Sequence, residues 1–219
     1  MIKLAFVAAG SSMLVRPHQP DGPRRPEGPP PTIVVGRQEW MAENLQVRRF
    51  RNGDPIELVT DGSAWIEADR PAMCCYDNDE GLSELFGCLY NAHAVTDPRG
   101  LAPEGWRIPT DADWQQLVDG LGGREYAGSN LKKSCDRLWK EENYNARDGV
   151  HFGGLAGGMR NRYGGFDFLR SFGYYWSSTP MNASHLWSRR LSYADPGVQR
   201  LGAVLQSAMS VRCVRDLGA

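Results

Sequence analysis

No stretch of this 219-residue chain is apolar for anything near the roughly 20 residues that cross a bilayer, so no membrane span is expected. An excess of one charge is missing too. The 25 lysines and arginines against 26 aspartates and glutamates leave a formal net charge of -1. That balance supplies no electrostatic attraction for DNA, RNA or an anionic membrane, and no nucleic-acid partner is expected. Histidine is scarce. His18, His93, His151 and His185 are scattered, and none sits beside a serine or cysteine within a nucleophile motif such as Gly-x-Ser-x-Gly. No Cys-x-x-Cys spacing occurs among Cys74, Cys75, Cys88, Cys135 and Cys213, which leaves a zinc or thioredoxin-type site without support. Their number is odd, and adjacent cysteines seldom bond to each other. The reading is small buried hydrophobes, with one disulfide left open and no pair chosen by the sequence. Gly153 to Gly158 lacks the Gly-Lys-Ser/Thr of a phosphate loop and reads as close strand packing or tight turns.

What is present divides the chain in two. Residues 1–31 form an N-terminal segment and linker. Met1-Ile2-Lys3 followed by Leu4 to Gly10 reads as a short signal peptide or as a short strand or disordered start. Pro17 to Pro31 has too little apolar surface to order itself and reads as a linker. Residues 32–219 are then one domain. Ile33 to Val35 reads as a strand ended by Gly36, and a second extended piece is expected around Val47 to Phe50. Thr60 to Trp65 opens a short helix with Asp61 or Ser63 as its cap. Gly81 to His93 reads as a helix or a mixed segment. The clearest helix begins at Thr110, with acidic Asp111 and Asp113 in its first turn and Trp114, Leu117, Val118 and Leu121 at helical spacing. Helices first and short strands last indicate an α+β class.

The tail from Tyr174 to Asp216 is the most patterned region. Trp187, Arg189, Leu191 and Tyr193 alternate with Ser188, Arg190 and Ser192. A period of two places the first set on one face of a strand and the second on the other. The Trp-Leu-Tyr face is expected to be buried, and the opposite face to be free for display. Five blocks then stand in a recognisable order: Val35 to Leu45, Arg51 to Ile56, Gly100 to Trp114, Tyr175-Trp176-Ser177-Ser178-Thr179, and Ser210-Val211-Arg212-Cys213-Val214-Arg215-Asp216. In these blocks the chain resembles the FISUMP-type major paralogous domain of bacterial surface proteins. Ala208-Met209 departs from it, standing where the family has Gly-Phe.

The resemblance implies a loop-rich C-type-lectin-like fold with short antiparallel strands, related to the formylglycine-generating-enzyme fold. Some members are variable proteins of diversity-generating retroelements, in which codons near the C-terminus are rewritten. It implies a binding protein with no catalytic residues, its ligand a protein or a surface glycan, at a cell surface, secreted or on a phage particle. Trp187, Arg189, Leu191, Val198 and Arg200 match fixed positions. The ligand-binding set is then Asn182, Ser184, His185, Ser188, Arg190, Ser192, Asp195, Gln199, Leu201, Gly202, Ala203 and Val204, within a display region of about 174–216. An enzyme of the formylglycine-generating type is the alternative, but it needs a reactive cysteine pair near the C-terminus, where only Cys213 stands. A non-diversified structural surface protein is a third reading. Asp77-Asn78-Asp79-Glu80 is a run of oxygen donors that suits a polar surface turn and could ligate Ca²⁺. Tyr175, Trp176 and Trp187 could stack on sugar rings but read as core.

Overall fold

The computed structural model describes residues 30–135 and 137–218. The expected signal peptide, and the linker up to residue 29, lie outside them. The strands are β1 (Thr32–Val35), β2 (Gln38–Met41), β3 (Glu57–Leu58), β4 (Ala72–Cys74), β5 (Leu89–Asn91), β6 (Gly157–Arg160), β7 (Phe166–Leu169), β8 (Phe172–Asn182), β9 (His185–Ser192), β10 (Asp195–Val204), β11 (Ala208–Met209) and β12 (Val214–Asp216). The helices are α1 (Gly62–Ile66), α2 (Glu80–Phe86), α3 (Ala92–Val95), α4 (Asp111–Gly120) and α5 (Ala127–Leu131). The chain is α+β, rich in strands and loops, with mostly antiparallel sheets.

A three-stranded sheet runs β1-β2-β12, so the first and last strands of the domain share one sheet. The larger sheet runs β10-β9-β8-β6-β11-β5-β4-β3, with β7 paired to β6. Two junctions in it are parallel, β6 with β8 and β3 with β4. Local chemistry sets several boundaries. Asp61 caps α1 by accepting from the Ala64 N–H at 2.8 Å. Thr110 caps α4, and Asp113 reaches back to the Thr110 N–H at 2.7 Å, which completes a capping box. The periodic residues of α4 then turn Trp114, Leu117 and Val118 inward. Gly81 to His93 is mixed: it holds all but the first residue of α2, then β5, then the start of α3.

Two expectations need correction. Val47 to Phe50 is irregular apart from a bridge between Arg49 and Pro55. The second strand is instead β2, whose four residues are all buried between β1 and β12. The strands at the end of the chain are also long, since β8 has 11 residues and β10 has 10.

Two clusters of the core sandwich β8 and β9. One joins Trp40, Trp114, Phe152, Tyr175, Leu191 and Val198. Trp40 and Trp114 have ring centroids 4.8 Å apart, and Trp114 lies 5.7 Å from Tyr175. The other joins Met73, Tyr90, Tyr174, Trp176, Leu186 and Ala203. Trp176 donates its indole N–H to the Tyr90 carbonyl at 2.7 Å, so even its polar edge is satisfied. Arg212 is fully buried and donates to the Asn44 side chain and to the carbonyls of Met41, Phe152 and Gly153. It ties β2 to the loop that carries Phe152, which fixes the base on which the last three long strands stand.

Candidate ligand-binding surface

β8, β9 and β10 form an antiparallel meander. Tyr175 lies opposite Arg189 and Trp176 opposite Ser188. Arg189 lies opposite Arg200, and Trp187 opposite Gly202. Alternation then assigns two faces. The first carries Tyr175, Trp187, Arg189, Leu191, Val198 and Arg200. The second carries Tyr174, Trp176, Leu186, Ser188, Arg190, Ser192, Gln199, Leu201 and Ala203.

The alternation expected from the sequence is therefore present, but the second face is not free. Ser188 is 1% exposed, Ser192 6% and Ala203 8%. The physical reason is the second core cluster, which packs on this face around Trp176, Leu186 and Ala203. Ser188 satisfies its hydroxyl within the meander by donating to the Leu201 carbonyl at 3.1 Å. The converse correction applies to Trp187, which is half-buried rather than core. Tyr175 and Trp176 are fully buried, as expected.

On the first face, burial falls away along the strands. Leu191 and Val198 are buried at one end. Arg189 and Arg200 come next, and both reach Asp111 at the start of α4, at 2.6 and 2.8 Å. Burial alone would raise the Asp111 pKa. The hydrogen bonds from Arg200 and Arg189 outweigh it and hold the carboxyl below its usual range. The Arg200 guanidinium then lies 3.3 Å from the centroid of the Trp187 ring. Beyond Trp187 come Gly202 and the turn. A Cβ at Gly202 would run into the Met181 sulfur, so glycine there lets the two strand ends close. Met181 itself is 46% exposed. In the turn, the Asn182 side-chain oxygen accepts from the Ser184 N–H at 2.9 Å, and the Ser184 hydroxyl is 2.8 Å from His185 Nδ1.

The second face is buried near the turn at Leu186, Ser188 and Ala203, and its opposite end is only partly open. Tyr174 and Ser192 stay buried there, while Phe172, Arg190 and Gln199 are partly exposed beside β7. Phe168, Phe172 and Tyr174 meet there with ring centroids 5.2 to 6.1 Å apart. Phe168 is 47% exposed and has a φ of 67°, a conformation unusual for a phenylalanine. Arg190 lies 4.5 Å from the centroid of Phe172 and donates to the Gln199 side chain. Its Nε is buried without a hydrogen-bond partner.

The twelve expected positions thus do not make one patch. Asn182, Ser184, His185, Gly202 and Val204 gather at the turn. Arg190, Gln199 and Leu201 lie on the second face, the first two beside the aromatic ledge. Asp195 sits at the far end, half-buried, where its carbonyl accepts from the buried ammonium of Lys132 at 2.9 Å. Burial lowers the Lys132 pKa to about 8. Ser188, Ser192 and Ala203 are interior. Phe168 and Phe172 were missed by the sequence reading, and Asp111 was read only as a first-turn acid of α4, not as the partner of Arg189 and Arg200. The period-two pair Phe166 and Phe168 just before the tail is the signal for β7, which pairs with β6 and brings Phe168 onto Phe172.

Two further features lie elsewhere. In the acidic run, Asp79 caps α2 by accepting from the Gly81 N–H, Glu80 pairs with Arg48 at 2.5 Å, and Asn78 donates to the Thr60 carbonyl. These partners suit a polar surface turn. An open cleft of about 520 Å³ lies between Ser134-Cys135 and Glu142 to Ala146 and includes none of the twelve positions. No described helix is long and apolar enough to cross a membrane.

The model of the Fibrobacter succinogenes major domain matches residues 33–215 of this chain, which belongs to that family. Neither a curated protein nor a solved structure matches it.

Proposed function

We propose that this member of the Fibrobacter succinogenes major domain family binds a protein or a surface glycan through the open end of the second face, without catalysing a reaction. The observation that carries the reading is the Arg190 site: a partly exposed guanidinium laid on Phe172, beside exposed Phe168, with Gln199 next to it. An aromatic ledge with a cation and an amide offers stacking and directional hydrogen bonds together, which suits a sugar ring or a polar side chain of a partner protein. The Asp111–Arg189 pair and the tryptophan cluster hold the strands beneath it, so recognition proceeds by rigid presentation on a C-type-lectin-like scaffold. Nine of the twelve expected positions reach solvent at least in part. This supports their diversification by a retroelement, with Ser188, Ser192 and Ala203 outside the variable set.

The test is binding of the purified chain to a glycan array and to a panel of purified surface proteins. The expected result is one ligand class whose affinity falls tenfold or more in Arg190→Ala and Phe168→Ala, at unchanged melting temperature. A ligand held equally well by both variants overturns this site. A near-copy of the tail's coding DNA, differing at adenines and beside a reverse transcriptase gene, is the expected genomic signature of diversification.

A further inference from the structure

We propose that Cys75 and Cys88 are a cross-strand dithiol that is oxidised to a disulfide by thiol–disulfide exchange. The sheet register places them face to face. β4 pairs antiparallel with β5, with Met73 opposite Tyr90 and Cys74 opposite Leu89. One step further along the same register sets Cys75 opposite Cys88. The hydrogen bonds show which kind of pair this is. Cys88 donates its N–H to the Leu45 carbonyl, and the Cys75 carbonyl accepts from Asn78, so the two backbones do not bond to each other here. In antiparallel sheets such non-bonded pairs bring side chains closest, with Cα atoms near 4.5 Å, inside the range a disulfide spans. The period of two sends Cys74 to the opposite face, where it packs with Trp65 and Leu89. It does not compete for Cys88.

The surroundings suit exchange chemistry. The Cys88 thiol donates toward Cys75 and lowers the pKa of Cys75 to about 6 against the opposing effect of burial, with further help from Ser83 and Arg48. The same contact and burial push Cys88 up. Burial raises Cys74 to about 12 despite the opposing Arg160 guanidinium. The pair is therefore asymmetric, one sulfur ready to attack and the other holding its proton. Both are buried beside α2, so exchange takes place during folding, once β4 and β5 have paired and set the Cys88 thiol against Cys75, and before α2 closes over them and adds Ser83.

The oxidant is a low-molecular-weight disulfide, R–S–S–R. The Cys75 thiolate attacks one of its sulfurs and expels a thiolate, which takes a proton to become R–SH. Cys88 then gives its proton to solvent and attacks the Cys75 sulfur of the mixed disulfide, which forms the Cys75–Cys88 bond and releases the second R–S⁻. Two electrons pass from the two cysteines to the reagent.

The full chain is unfolded, refolded in reduced and oxidised glutathione, alkylated, and digested with a protease that cuts after Glu80 and Glu84, between the two cysteines. Mass spectrometry should find the Cys75 and Cys88 peptides linked. The link should persist in Cys74→Ser and vanish in Cys75→Ser. Alkyl label on both Cys75 and Cys88 in the refolded wild type, or a link from Cys88 to Cys74, Cys135 or Cys213, overturns the proposal.

Discussion

Arg189 and Arg190 are neighbours in sequence on opposite faces of one strand, and their surroundings divide them into a buried, ion-paired residue and a partly exposed one. Arg189 is 2% exposed, and its charge is met by the Asp111 carboxylate at 2.6 Å. Arg190 is partly exposed, lies on Phe172 and donates to the neutral Gln199 side chain. The difference teaches that identical side chains one residue apart are told apart by what covers each face. On the first face that cover is the start of α4. On the second it is the core cluster near the turn, and only the aromatic ledge near Phe172.

The sharpest test of this contrast is a pair of substitutions. Arg189→Ala strands Asp111 with Arg200 alone in a partly buried site, and should cost about 3 kcal/mol of stability by denaturant titration. Arg190→Ala loses a partly exposed cation–π contact and should cost less than about 1 kcal/mol. Equal losses would erase the distinction between the faces. The Asp111 pKa is depressed in the folded state, so its contribution is present above its unfolded value and lost as pH falls through the folded one. The gap between wild type and Arg189→Ala should therefore narrow below about pH 4.

A second comparison exchanges the roles the sequence pattern assigned to two positions. Ser188 read as a display residue and is interior, while Trp187 read as core and is half-buried. Ser188→Leu forces extra volume against Trp176 and Leu201 and should cost about 2 kcal/mol. Trp187→Ala removes an indole already half in solvent and its contact with Arg200, and should cost about 1–2 kcal/mol, below the 3–5 kcal/mol typical of a buried tryptophan. Thermal melts of both variants settle the order. A Trp187 variant clearly worse than the Ser188 variant would restore the core assignment.

Strictly local features could be read from the chain. Asp61 was one of two candidates for the cap of α1, and the cap at Thr110, the inward Trp114, Leu117 and Val118, and the parity of β9 follow from spacing alone. So did the family, through five short blocks, and the model match over 33–215 agrees with them. What covers each face did not. Period two says that Ser188 and Trp187 point apart, but it is silent on the second layer that Met73, Tyr90 and Met209 bring from distant parts of the chain. The aromatic ledge was hidden for the same reason, since Phe168 reaches Phe172 and Tyr174 through the pairing of β7 with β6 and of β6 with β8. Cys75 and Cys88 likewise look unremarkable until the register of β4 and β5 sets them opposite each other.

The smallest effects are expected where neither face is covered. Asn182, Gln199 and Val204 lie at solvent-reaching positions of β8 and β10, outside every core cluster. Asn182 accepts hydrogen bonds within its own exposed turn, and Gln199 meets Arg190 in reach of water. Water replaces either partner at little cost. Alanine at each should shift stability by no more than ~0.5 kcal/mol, and the three losses should add, because the sites share no buried neighbour. Differential scanning calorimetry of the triple variant checks this. A loss well beyond the sum would mean that the meander is held together at its rim as well as its base, and that the display positions are part of the scaffold they were thought to decorate.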